Sequence, residues 1–141
     1  MKLTHQLLSS AALVMGLAAA SAAQAEYKLA FIPGVGGDAY YGSVQCGIEA
    51  VAKAKGAVVD TQAPKSFDPA AQIPILEAMI AKKPDAIVIA PTDSKALFAP
   101  LKKAADQGIK VVLVDTTLED PSIAVSEVSS DNVEAGKVAA A

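Results

Sequence analysis

Short apolar runs alternate with stretches of helical periodicity along most of the chain. Apolar runs with little polar alternation are typical of strands in parallel sheets, where both faces are covered. The predicted strands are Tyr27–Ile32, Ala57–Thr61, Ala86–Ala90, Ile109–Val114 and a short one at Ile123–Val125.

Residues typical of helix starts and helix ends indicate helices between these strands. An aspartate comes directly before each of the four predicted helices, where its side chain can accept hydrogen bonds from free backbone N–H groups. The predicted helices are Ala39–Lys55, a helix from Pro69 that ends before Pro84, Ser94–Gln107, and a last one from Asn132. The alternation of strands and helices predicts an α/β fold, an open parallel sheet with helices on both faces.

Polar and aromatic residues follow two of the predicted strands. The loops after parallel strands share one edge of the sheet, and ligands bind at that edge. A carboxylate accepts hydrogen bonds from hydroxyls, and an aromatic ring offers a flat apolar face. This combination predicts a site for a sugar or a similar small polyol. The candidate ligand-binding residues are Asp38, Tyr40, Tyr41, Asp115 and Thr116.

Ordinary structural roles are the alternative for some of these residues. Two tyrosines in the first turn of a helix can simply pack against the sheet. Aspartates before helices can simply be N-caps. Asp115 fits that alternative worst, because no helix follows it directly. It is therefore the acid that the sequence most readily assigns to a ligand.

The glycine-rich loop also fits a different function. Gly34, Gly36 and Ala39 match G-x-G-x-x-A, and Asp60 lies near the expected end of the next strand. That pattern is typical of dinucleotide-binding enzymes. However, Asp38 would lie beside a pyrophosphate at the helix start and repel it. A dinucleotide-binding enzyme fragment stays as the alternative function.

The N-terminus predicts export. Residues 1–25 have the form of a signal peptide, with Lys2 before an apolar stretch and Ala23-Gln24-Ala25 as an A-x-A cleavage site. The mature domain would then be residues 26–141. Export to the periplasm also argues against a cytosolic nucleotide cofactor.

Composition narrows the chemistry further. The net charge is −3, and a mildly acidic chain argues against nucleic acid as a partner. The chain has no arginine, its one histidine is His5 in the leader, and Cys46 is its one cysteine. The mature domain therefore has no imidazole for acid–base catalysis or metal ligation. We expect no enzyme activity, no cofactor and no metal site.

Several stretches together resemble a known family. They are AYYGSVQCGIEAVAKAKGA, PDAIVIAPTDSKAL, AADQGIKVVLVDT and SSDNVEAGKVAA, which follow the exported leader in that order. The chain is similar to the N-terminal part of the type I periplasmic sugar-binding proteins, the ribose-binding kind that serves ABC importers. The resemblance covers nearly all of residues 27–141.

The resemblance implies a fold, a function and residue roles. The family has two similar lobes joined by a hinge, and it closes on a sugar that is delivered to a membrane permease. Rings at the start of the first helix stack on the sugar, a role that falls on Tyr40 and Tyr41. Asp38 and Asp115 would bond sugar hydroxyls.

Two departures from the family pattern bear on the ligand. Ribose binders carry an arginine where this chain has Thr116, and a polar residue where it has Gly34. These changes argue against ribose itself. At about half the family's length, the chain is expected to be the first lobe without the second. The further alternative is a truncated remnant that binds nothing.

The leader generates a test of processing. We predict cleavage after Ala25, because the A-x-A pattern ends there. Mass spectrometry of the exported protein should find Glu26 as its first residue. Mature protein that retains residues 1–25 would contradict the prediction.

Overall fold

A computed structural model describes residues 26–141 of the chain; the predicted signal peptide lies outside the described residues. All strands are parallel and form one sheet of order β2-β1-β3-β4-β5. The elements are β1 (Tyr27–Ile32), α1 (Ala39–Lys55), β2 (Ala57–Thr61), α2 (Pro69–Ala81), β3 (Ala86–Ile89), α3 (Phe98–Asp106), β4 (Lys110–Val114), a 3₁₀ turn (Pro121–Ile123), β5 (Ser126–Val128) and α4 (Asn132–Ala139). The predicted α/β fold is confirmed. Between residues 26 and 141, no helix is long and apolar enough to cross a membrane.

The larger part of the core lies between the sheet and helices α2 and α3. Ile32, Ile87, Ile89, Val111 and Leu113 point to this side and are almost completely buried. From the helices, three fully buried side chains meet them: Leu76, Leu101 and Met79. Burial of this much aliphatic surface is the main source of stability for the fold.

The opposite face of the sheet is covered only in part. There α1 packs on the side of β1 and β2, where Phe31 and Tyr41 are buried. Val88 and Val112 lie on this face but remain partly exposed. The sequence predicts β3 and β4 to be buried on both faces. Within the described residues that burial is complete only on the side of α2 and α3.

Capping aspartates begin three of the four helices for which the sequence predicts them. Asp38 accepts hydrogen bonds from the backbone N–H groups of Tyr40 and Tyr41 and so begins α1. Asp68 accepts one from Ala70 at the start of α2, and Asp131 caps α4. Each cap satisfies backbone donors that have no partner inside the helix.

Two predicted elements are shifted. The strand predicted at Ile123–Val125 is wrong: Pro121–Ile123 forms the 3₁₀ turn, and the strand is Ser126–Val128. Pro121 has its φ angle fixed near the helical value and follows Asp120, whose side chain caps the turn. The third helix begins at Phe98 rather than Ser94. Asp93 instead caps a separate turn by accepting bonds from Lys95 and Ala96.

Candidate functional site

The order of the strands reverses direction between β1 and β3. From β1 the chain crosses to β2 on one side, and it then returns to build β3, β4 and β5 on the other side. The helices that follow these two strands lie on opposite faces, so the loops after β1 and β3 leave a crevice between them. Ligands of open α/β sheets bind in such a crevice.

Gln72 of α2 ties the two loops at the crevice together. Its side chain is fully buried, and its amide nitrogen donates to the carbonyl oxygens of Pro33 at 3.1 Å and Ala90 at 2.8 Å. Its amide oxygen accepts bonds from the backbone N–H and the hydroxyl of Thr92, at 2.9 and 3.0 Å. One side chain therefore fixes the ends of β1 and β3 relative to each other. Gln72 is not among the candidate residues predicted from the sequence.

A second tie joins the loop after β4 to the loop after β3. The hydroxyl of Thr116 donates to the carbonyl oxygen of Pro91 at 2.8 Å. Thr116, predicted as a ligand contact, thus has a hydrogen-bond partner within the protein. The tie places the residue before it, Asp115, at the same edge of the sheet.

Asp115 adopts an unusual backbone conformation. Its φ angle is +67°, and the N–H of Thr116 donates to the carbonyl oxygen of Val114 at 2.8 Å, which closes a three-residue turn. Turns of this kind with positive φ are rare and strained, although aspartate tolerates them better than most residues. Its own N–H donates to Val128 of β5 at 2.9 Å, so the strained turn is anchored on both sides. Strain of this type is concentrated at ligand sites.

Tyr41 holds the carboxylate of Asp115. The ring of Tyr41 packs in the core and is only 7% exposed, while its hydroxyl donates to Oδ2 of Asp115 at 2.8 Å. Burial raises the pKa of Tyr41 well above its usual range, and the hydrogen bond to Asp115 raises that pKa further. The hydroxyl therefore stays protonated and remains a donor. Among the described residues, it is the one side-chain group that bonds to this carboxylate.

Tyr40 differs from its neighbour. Its side chain is 49% exposed, and its ring meets that of Tyr41 edge to face, with centroids 5.3 Å apart. Asp38, the N-cap of α1, is exposed beside it. The structure therefore brings Asp38, Tyr40, Tyr41, Asp115 and Thr116 to one edge. Of the two rings, that of Tyr40 is the accessible one.

Gly34 leaves room for two side chains that cross the first loop. A Cβ on Gly34 would lie 2.5 Å from the hydroxyl oxygen of Tyr41 and 2.5 Å from Cε2 of Phe67. Both distances are far below van der Waals contact. A side chain at this position would therefore force Tyr41 or Phe67 to move. Phe67 is likewise not among the candidate residues predicted from the sequence.

The geometry disfavours a dinucleotide. The N–H groups of Tyr40 and Tyr41 already bond to Asp38, so the start of α1 does not offer them to a pyrophosphate. Asp60 forms an ion pair with Lys82 at 2.6 Å, whereas in the dinucleotide pattern this acid would bind a ribose. The N–H groups at the helix start and the carboxylate of Asp60, which a dinucleotide would need, are thus engaged within the protein.

Comparison with known proteins identifies the family to which the chain belongs. The family model for the periplasmic binding protein domain matches residues 29–141. The chain belongs to this family. Its members are substrate-binding transport proteins rather than enzymes.

Two curated relatives match parts of the chain. The D-ribose/D-allose-binding protein of Pseudomonas aeruginosa is 47% identical over 70 residues, which are 46% of this chain and 22% of that protein. The ribose import binding protein RbsB of Bacillus subtilis is 35% identical over 105 residues, 72% of this chain and 33% of that protein. The chain thus matches a third or less of either relative's length.

Solved structures show the same fold. An ABC transporter solute-binding protein from Agrobacterium vitis, bound with α-D-tagatopyranose, matches with a TM-score of 0.78 and 45% identity, over 82% of this chain and 42% of that one. A carbohydrate transporter solute-binding protein from Agrobacterium radiobacter, in complex with D-arabinose, matches with a TM-score of 0.75 and 31% identity, over 83% and 39%. Both confirm the resemblance that the sequence motifs indicate.

The buried amide of Gln72 generates a stability test. Gln72→Leu should lower the free energy of unfolding by about 3 kcal/mol or more, because it leaves several buried backbone groups without partners. Urea denaturation measures the change. Gln45→Leu is the control, because Gln45 forms an exposed hydrogen bond with Glu49, and its loss should change stability by less than about 0.5 kcal/mol. Equal effects of the two variants would show that Gln72 does not fix the loops.

Gly34 generates a second stability test. Gly34→Ala should destabilise the fold by about 1–3 kcal/mol, because the new Cβ overlaps Tyr41 and Phe67. Gly42→Ala is the matched control, because Gly42 lies on α1 and a Cβ there would meet nothing within 4 Å. That change should stabilise the helix by roughly 0.5–1 kcal/mol. Thermal unfolding of both variants measures these changes. A higher melting temperature for Gly34→Ala would show that a Cβ at this position is not in steric conflict with Tyr41 and Phe67.

Proposed function

We propose that this chain is the first lobe of an exported sugar-binding protein that delivers its ligand to an ABC transporter permease. The observation that carries the proposal is the carboxylate of Asp115, held by Tyr41 beside the exposed ring of Tyr40. The named ligands of similar proteins, among them tagatose, arabinose, ribose and allose, support the sugar class.

The chemistry of the site suits a neutral polyol. Tyr41 occupies Oδ2 of Asp115 and thereby orients the carboxylate before any ligand arrives. An oriented carboxylate can accept hydrogen bonds from sugar hydroxyls without the entropic cost of ordering it at binding. The exposed face of Tyr40 can cover the C–H groups on one side of a sugar ring. Asp38 adds a second exposed acceptor at the same edge.

The rest of the proposal concerns the whole protein. We propose that a second lobe closes over this edge, that the protein works in the periplasm after loss of residues 1–25, and that it has no enzyme activity. A two-lobed site buries most of a small ligand and excludes water from its hydrogen bonds. One lobe alone leaves those bonds in competition with solvent, where each contributes little.

Asp115 provides the test. In the complete protein that carries this lobe, Asp115→Ala should weaken sugar binding by about 2–4 kcal/mol, as expected for the loss of a desolvated, charged hydrogen bond. Isothermal titration calorimetry with D-ribose, D-allose, D-tagatose and D-arabinose measures the change. Asp106→Ala is the control, because Asp106 ends α3 and pairs with Lys102 on the surface.

Two outcomes would contradict the proposal. If none of these sugars binds the unmodified protein, the sugar class is wrong. If Asp115→Ala leaves affinity unchanged but lowers the melting temperature sharply, Asp115 serves the fold rather than the ligand.

A further inference from the structure

Phe67 displays a large apolar side chain at the edge of the sheet where the candidate site lies. It belongs to the segment between β2 and α2, and its side chain is 50% exposed. The N–H of Asp68 donates to the carbonyl oxygen of Ser66 at 2.9 Å, so Phe67 is the central residue of a three-residue turn. Asp68 then caps α2, which fixes the end of the turn.

The segment that carries Phe67 is held against the loop after β1. The N–H of Gln62 donates to the carbonyl oxygen of Phe31 at 3.1 Å. The N–H of Gly36 donates to the carbonyl oxygen of Pro64 at 2.9 Å. Together with the cap at Asp68, these bonds restrain the segment on both sides of Phe67. The exposure of the ring is therefore imposed by the backbone around it.

The ring lies next to the group that holds Asp115. Cε2 of Phe67 and the hydroxyl oxygen of Tyr41 are each 2.5 Å from the place where a Cβ of Gly34 would be. Both groups therefore border the same small space, which Gly34 keeps free of a side chain. The Tyr41 hydroxyl in turn bonds to Asp115. The ring edge of Phe67 and the carboxylate of Asp115 thus both lie close to the hydroxyl of Tyr41.

We infer that Phe67 is a ligand-contacting residue that determines specificity: it forms an apolar wall of the sugar site. This inference rests on the proposed function. The wall favours a sugar that turns C–H groups, rather than a hydroxyl, toward the ring while its hydroxyls bond to Asp115. A hydroxyl pressed against Phe67 would lose its bonds to water and find no acceptor there. A ligand with an apolar edge instead covers a ring that is otherwise exposed to water.

Binding measurements on the complete protein that carries this lobe test the inference. The probes are D-ribose, D-allose, D-tagatose and D-arabinose, titrated by calorimetry against the unmodified protein and Phe67→Ala. The affinity for the sugar that binds best should fall roughly ten-fold with Phe67→Ala, as expected for losing a buried aromatic contact. Phe67→Leu keeps an apolar side chain without the ring face and should lose less affinity.

Tyr27→Ala is the matched control. Tyr27 is also an exposed aromatic residue, at 64%, but it begins β1 and so lies at the opposite edge of the sheet. Its removal should leave affinity within two-fold of the unmodified protein. Thermal unfolding of each unliganded variant shows whether a loss of affinity follows from loss of the fold.

The outcomes separate this inference from the proposed function. Sugar binding that is unchanged in a folded Phe67→Ala variant overturns the inference and leaves the proposed function intact. An equal loss with Tyr27→Ala overturns it as well. If the unmodified protein binds none of the four sugars, both the proposed function and the inference fail.

Discussion

The amide of Gln72 satisfies a constraint on which the candidate site depends. Where β1 and β3 end side by side, their backbone groups are buried and need hydrogen-bond partners, since an unpaired buried group is costly. Gln72 supplies two donors and one acceptor to that point, through four hydrogen bonds. A side chain of α2, a helix that covers the sheet, thereby fixes the loops. The loops can then present acids and rings in a defined arrangement.

The candidate site divides its aromatic residues between two roles. Tyr41 belongs to the core, and it reaches the site only through its hydroxyl. Tyr40, its neighbour in sequence, points outward because successive residues on a helix are about 100° apart. The resemblance to the family assigned the same role, stacking on the sugar, to both rings. However, Tyr41 lies at helical spacing from the partly buried Val44 and Ile48, and that periodicity already marks it as the inward one.

Structural features that depend on neighbouring residues were predictable from the sequence, whereas contacts between distant parts of the chain were not. The caps at Asp38 and Asp68 follow from neighbouring residues alone, and the alternation of elements gave the parallel sheet. Gln72 contacts Pro33, which lies 39 residues away, so its role depends on the finished fold. The shift of the last strand has a local cause that was misjudged: Pro121 favours a helical turn, and the strand begins only after it. The position of Phe67 beside the candidate site was not predictable, because a single aromatic residue in a loop belongs to no periodic pattern.

The electrostatics of the edge bear on the class of ligand. Asp115 is oriented by a neutral hydroxyl, whose raised pKa keeps it a donor without contributing a positive charge. No positive group therefore offsets the carboxylate of Asp115 in this contact, and Asp38 places a second acidic side chain at the same edge. The chain has no arginine that could bind a phosphate or carboxylate with two hydrogen bonds. An anionic ligand such as a sugar phosphate would be repelled by both acids, whereas a neutral polyol can donate hydrogen bonds to them. The same arrangement that orients Asp115 thus supports the proposal of an uncharged sugar rather than a charged ligand of the same shape.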